Sequence, residues 1–271
     1  VSGWRKVTWQ SAVSCLAVCG LSAAAAAGTF DIKGVEISSG ETEVAWGAAW
    51  QSRFPANADP LRQSYEASVG YGFTSRFKAG VKLGFEQPDG ERLEATYAGV
   101  EAQALLLDPS KGPFGLAWFT GLDFGLQDGV SDVLTFGPLV SFELRKDLAV
   151  TLNPLFQRSW DPSSPGLDFA YAWQIKRTLD DTVALGVEGY GVVPDLASAP
   201  SIDFQEHRLG PVLFLSHEMA AGSGGRSMKV GAAGGGEGKD AGKVELQLGL
   251  LWGLTEATAD LTGRAKLAIT W

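Results

Sequence analysis

Cysteine occurs only at positions 15 and 19, histidine only at 207 and 217, and no run of 18 consecutive apolar residues follows residue 28. Two histidines cannot supply the clustered ligands of a structural zinc site, and no D-x-D-x-D-G pattern offers calcium a loop. Without a long apolar run there is no helical membrane span. Basic residues are also short, 22 against 31 acidic ones for a net charge of −9, and they form no patch that would hold nucleic acid. No metal, cofactor or nucleic-acid partner is therefore expected.

Residues 1–27 read as an export signal. Arg5 and Lys6 give a positive start, Val7 to Leu21 are mostly apolar or small, and Ala23 to Ala27 offer A-x-A cleavage sites before Gly28. Both cysteines fall inside this segment. Leu16-Ala17-Val18-Cys19 approaches a lipoprotein box, but Val18 is large for the residue before a modified cysteine. The processed chain would carry no thiol, hence no disulfide and no cysteine nucleophile. Leaving out Arg5 and Lys6, 20 basic residues face 31 acidic ones, a net charge of −11.

What the chain has in abundance is glycine (35 residues), aromatics (10%) and strict two-residue alternation. Successive side chains of a strand point to opposite faces, so alternation over about ten residues marks a strand between two environments. At the C-terminus Ala259, Leu261, Gly263, Ala265, Leu267, Ile269 and Trp271 share one face, while Asp260, Thr262, Arg264 and Lys266 share the other. Just upstream, Val244, Leu246, Leu248, Leu250 and Trp252 alternate with Glu245, Gln247 and Gly249. The same grammar predicts strands at 43–54, 64–73, 76–86, 92–106 (the faintest), 114–126, 134–145, 148–157, 167–176, 183–192 and 206–216. The total is about twelve, and an even number returns both chain ends to one side. Tight links at 74–75, 146–147 and 179–181 interleave with wider ones at 55–62, 127–132, 159–166 and 193–205. Two links break that rule. The one at 255–257 is short where a long loop is due, and the Gly-rich run 220–242, read as a flexible loop, falls on the short-turn side.

Periodicity alone does not separate a soluble sandwich, apolar inside, from a membrane barrel, apolar outside. Three features favour the barrel. Aromatics recur near the ends of the apolar faces (Trp46 with Phe54, Tyr65 with Phe73, Phe77 with Phe85), and eight residues of strand span about 26 Å, close to the height of a barrel's apolar band. Charges sit in mid-strand on the other face, where a dry core would cost several kcal/mol per unpaired ion and a hydrated lumen would not. Unpaired backbone groups cannot face lipid, so such a sheet must close. The fold expected is an all-β, transmembrane, antiparallel up-and-down barrel over 43–271, preceded by a periplasmic lead-in at 28–42. Pro138, Pro154 and Pro211 stand against it, since proline cannot donate to a ladder; Gly137-Pro138 and Gly210-Pro211 read as bulges or kinks.

The ending Ala265-Lys266-Leu267-Ala268-Ile269-Thr270-Trp271 resembles the terminal strand of bacterial outer-membrane proteins. Lys33-Gly34-Val35-Glu36-Ile37 followed by Gly40-Glu41-Thr42-Glu43 looks like the start of small proteobacterial barrels of transporter type. The resemblance implies a place in the Gram-negative outer membrane, contact with its lipid, delivery by periplasmic chaperones, and recognition of Leu267, Ile269 and Trp271 by the barrel-assembly machinery.

No catalytic constellation emerges. Outer-membrane phospholipases and deacylases carry a His two residues before a Ser with Asn-Gly after it, which neither His207 nor His217 matches. Ser216, His217 and Glu218 have suitable types, but strand neighbours point apart. Asp180-Asp181 suits a turn, the run 234–239 lacks the residues of a phosphate loop, and Asp195, Asp203 and Glu206 suit a solvated loop. The remaining candidate site is the lumen. Its expected lining includes Arg53, Glu66, Arg76, Lys78, Lys82, Asp123, Glu143, Asp168, Lys176, Glu188, Arg208, Glu245, Arg264 and Lys266, with Glu43, Glu86, Arg145, Lys243 and Asp260 beside them. The near balance of sign opposes strong ion selectivity. The expected function is a passive channel or transporter for small polar solutes. The alternatives are a structural or adhesive barrel with a filled lumen and, further off, a lipid-modifying enzyme.

Overall fold

A computed structural model describes residues 30–55, 58, 61–160, 166–219 and 242–271. The leader expected at 1–27 lies outside the described residues, as does nearly all of the Gly-rich run. Twelve strands follow in order: β1 (Thr42–Ser52), β2 (Leu61–Thr74), β3 (Phe77–Pro88), β4 (Glu94–Leu107), β5 (Phe114–Gly125), β6 (Val133–Arg145), β7 (Leu148–Ser159), β8 (Leu167–Thr178), β9 (Val183–Val193), β10 (Glu206–Glu218), β11 (Lys243–Gly253) and β12 (Leu261–Thr270). Each pairs antiparallel with its sequence neighbours, and β1 pairs with β12 from Glu43↔Thr270 to Ser52↔Leu261. The ring is closed, leaving no sheet edge to face lipid.

The alternation read from the sequence is the alternation of the wall. On the outer face Trp46, Trp50, Phe73 and Val81 are 45–58% exposed, whereas Ala45 and Ala49, one residue away on the inner face, are buried. Lipid is the medium that stabilises so much exposed apolar surface in a closed barrel. Aromatic rings run around the outside in contact: Trp118, Phe136, Phe156, Phe169 and Tyr171 form a chain across β5 to β8 with centroid spacings of 5.6–6.4 Å. A second group, Tyr71, Phe73 and Phe77, lies by the β2–β3 turn.

The turns on the side where β1 begins are short, as at 75–76 and 146–147, apart from the 219–242 connection between β10 and β11. There Met219 N–H donates to the Gly242 carbonyl at 2.6 Å and brings the two strand ends together. Between β4 and β5, Asp108 accepts from the Ser110 N–H (2.9 Å) and hydroxyl (2.7 Å), which draws its carboxyl below the usual aspartate range.

The prolines are accommodated differently from the sequence reading. Between β6 and β7 pairing runs to Phe136↔Phe156 and resumes at Val140↔Leu152 in the same register, so Pro138 and Pro154 face each other across the lapse. Each keeps its partner on its other side, Trp118 and Tyr171 respectively. Pro211 likewise pairs with Val187, while its other seam skips from Leu209↔Trp252 to Val212↔Gly249. Two ladders each omit bonds, and no bulge forms at any of the three. Glycine precedes two of these prolines for lack of room: a Cβ at Gly210 would stand 1.9 Å from the Leu250 carbonyl, and one at Gly137 would stand 2.6 Å from that of Pro154.

The largest departure concerns the lead-in. Residues 30–37, expected on the periplasmic side, lie inside the ring. Phe30 packs on Ala49, Tyr190 and Leu251 in the upper part of the barrel, and Val35 packs on Leu105, Ala117, Phe119 and Leu139 below it. The chain leaves the lumen at Ser38 and turns through Gly40, at φ 81°, into β1. "Upper" here means the end of the barrel away from Thr42.

Candidate functional site

Twelve strands make a lumen too wide for facing walls to pack on each other and narrow enough for one extended segment to fill much of it. Residues 30–37 have no ladder partner, so barrel side chains satisfy their backbone. The Asn153 amide accepts from the Lys33 N–H at 2.8 Å and donates to the Lys33 carbonyl at 3.0 Å. Gln103 donates to the Gly34 carbonyl at 2.9 Å, and Arg264 donates to that of Phe30 at 2.7 Å.

Charged groups fix the segment sideways. Asp31 meets Lys266 at 2.7 Å, and Lys33 meets Glu101 at 2.9 Å and Asp31 at 3.5 Å. Above them, Arg264 and Glu188 pair at 3.0 Å with side chains 1% and 0% exposed. Glu188 also accepts from Gln174 at 2.7 Å, and the Tyr190 hydroxyl lies 2.7 Å from its other oxygen. Arg208 lies over the Phe30 ring, 4.3 Å from its centroid, and pairs with Glu206. A third cluster sits against β2 to β5: Lys82 meets Asp123 at 2.9 Å and Glu66 at 3.6 Å, and the Tyr97 hydroxyl donates to Glu66 at 2.8 Å. So dense a set of paired ions matches a polar interior, and each ion's partner offsets its desolvation.

The expected lining residues divide by position. Glu66, Lys78, Lys82, Asp123, Glu188, Arg208, Arg264 and Lys266 meet inside the barrel as described, with Lys78 on Glu43 at 3.1 Å. Lys176 also points inward, its ammonium 4.4 Å from the Phe214 ring centroid. Glu245 pairs with Lys243 at 3.1 Å near the lower end, and Glu143 lines a lower recess with Glu36 and Lys176. Asp168 accepts from the Asp195 N–H at 2.8 Å, tying β8 to the β9–β10 loop. Arg53 and Arg76 do not line the barrel wall. Arg53 follows β1 with φ 60° and is exposed, and Arg76 is exposed in the β2–β3 turn.

Sequence reasoning missed Asp31, Lys33, Glu101, Gln103, Asn153 and Tyr190. Alternation could have found the last four, each on the polar or small face of its strand. Nothing periodic marks Asp31 and Lys33. His207 points away from the lumen: its Nδ1 lies 2.8 Å from the outward Tyr171 hydroxyl, and its Nε2 lies 3.1 Å from Gln205. His217 is exposed near the lower end of β10. Among the described residues no three His, Cys, Asp or Glu side chains gather as a metal site.

No protein-family model matches the chain, and no curated protein does. Solved structures do. The COG4313 outer membrane channel from Pseudomonas putida F1 superimposes with a TM-score of 0.57 at 14% identity, over 89% of this chain and 98% of that one. The KdgM porin, solved in complex with disordered oligogalacturonate, gives 0.49 at 11% identity over 84% and 98%. The NanC porin gives 0.46 at 11% over 85% and 98%. At such identities the likeness concerns architecture. The closed twelve-stranded ring with its apolar exterior is an outer-membrane β-barrel.

Proposed function

We propose that the protein is a passive outer-membrane channel for small polar solutes, with a lumen narrowed by residues 30–37. The observation that carries this reading is the lumen itself. Its surface is ionic and amide-rich, and spaces remain on both sides of the inner segment, one bounded by Asp31, Lys78 and Lys266 and another by Phe30, Tyr190 and Arg208. A barrel that served only as a scaffold gains nothing from a polar interior over an apolar one, because well-packed hydrophobic replacements for buried ion pairs are often the more stable choice.

Liposomes containing the protein should swell in isosmotic small sugars or amino acids at a rate that falls with solute size. Tight liposomes at high protein density would overturn the channel reading. They would favour a structural or adhesive barrel instead, a second reading supported by the near-complete burial of Arg264 and Glu188. Export by a cleaved leader, delivery by periplasmic chaperones and recognition by the assembly machinery belong to the same proposal. Leu267 and Trp271, 41% and 57% exposed on the outer face of the last strand, are available for that recognition.

A further inference from the structure

The lower half of the lumen is not filled evenly. On the β4 to β6 side Val35 closes against Leu105, Phe119 and Leu139. On the β2–β3 side the inward positions are Ser68, Gly70, Lys78 and Gly80, which bound an open space together with Asp31, Glu101 and Lys266. The two glycines differ. A Cβ at Gly80 would meet the Val69 carbonyl at 2.7 Å, so backbone packing accounts for that residue. A Cβ at Gly70 would meet nothing within 4 Å. No clash and no left-handed backbone demands glycine there. Its effect is to keep the wall bare.

The ions around this space are matched. Lys33 faces Glu101 at 2.9 Å, Lys78 faces Glu43 at 3.1 Å and Lys266 faces Asp31 at 2.7 Å. A solute with net charge finds an attracting and a repelling group at similar distance, so the Coulomb contributions largely cancel. A solute rich in hydroxyls, or a zwitterion, can use ammonium donors and carboxylate acceptors together.

We propose that this glycine-walled space is the solute site of the channel and that it takes small polar solutes of no net charge. The inference rests on the channel reading. Residue 70 is the place where added bulk must obstruct passage, and the Lys78–Glu43 pair sets the charge preference.

The absence of cysteine after position 19 permits a direct test. Gly70→Cys, checked for folding by heat-modifiable migration, is placed in a planar bilayer and treated with a bulky, uncharged, water-soluble methanethiosulfonate reagent. Ser68→Cys on the same wall serves if the glycine variant fails to fold, and the lipid-facing Val69→Cys is the control. Modification should lower conductance and the uptake of a neutral sugar at least twofold or so, as for any obstruction of a narrow pore, with the control unchanged. Lys78→Glu should turn a weakly selective channel toward cations, read as a shift in reversal potential under a salt gradient. Conducting channels that are labelled at residue 70 or 68, confirmed by mass, yet pass current and sugar as before would overturn the site while leaving the channel reading intact. Unmodified channels that pass a sugar acid or an amino sugar far faster than a neutral sugar of similar size would overturn the charge-neutral preference. Absence of conductance from every variant, wild type included, would overturn the channel reading and the site with it.

Discussion

Arg264 and Glu188 are the residues on which the interior turns. Both are almost fully buried, they pair with each other, and Arg264 also holds the Phe30 carbonyl. Removing one partner leaves a buried charge without its counterion, which typically costs about 3–5 kcal/mol. Glu188→Ala is therefore expected to lower the urea midpoint of the folded barrel markedly, followed by the mobility difference between folded and boiled samples; an unchanged midpoint would mean that water reaches the pair freely. Asp31 acts differently, tying a segment with no ladder of its own to Lys266 of β12. Asp31→Ala should loosen that segment and raise single-channel conductance, with little change in heat-modifiable migration. Asp108, whose folded carboxyl is held below its ordinary value, contributes to its turn above the usual aspartate pKa and loses that contribution as acid protonates it. Glu188 and Arg264 were legible from alternation because their neighbours Val187, Gly189, Ala265 and Gly263 all belong to the other face. Asp31 and Lys33 were not, because an extended segment held by side chains imposes no period on its sequence.

Strands were the most legible elements, and the physical reason is the two solvents. Lipid on one side and water or ions on the other force a two-residue period onto any stretch that crosses. The faint strand, β4, shows where that signal fails: pairing shifts between Gly84 and Phe85, so Tyr97 rather than Thr96 follows Ala95 in the register with β3. One extra residue, Thr96, breaks the alternation at its start, while Glu101 and Gln103 beyond it keep the two-residue period. The prolines were legible as irregularities but not in kind, since nothing in sequence tells that Pro138 and Pro154 would be set opposite each other. Phe136 lies in the ring belt on the lipid side of β6. Phe136→Lys should destabilise the barrel by about 2–4 kcal/mol if its side chain lies near mid-bilayer, measured by refolding yield in bilayers against urea. The same change at an inward position beside open space, such as Ser68, should be milder, because water can reach a lumenal ammonium.

At the scale of the whole molecule the closed ring, the apolar exterior and the matched ions inside make one object: a polar interior enclosed by lipid, with residues 30–37 laid along it. The architecture was legible because an even number of two-faced strands with alternating link lengths leaves few other closures. The occupancy of the lumen was not, because it depends on where an aperiodic segment lies within the ring. The direct measurement is the single-channel conductance, in planar bilayers, of the intact protein and of a variant lacking residues 28–37. The intact channel should conduct weakly, and the shortened one should pass a clearly larger, steady current. Equal conductance from two correctly folded barrels would contradict an N-terminal segment that narrows the path.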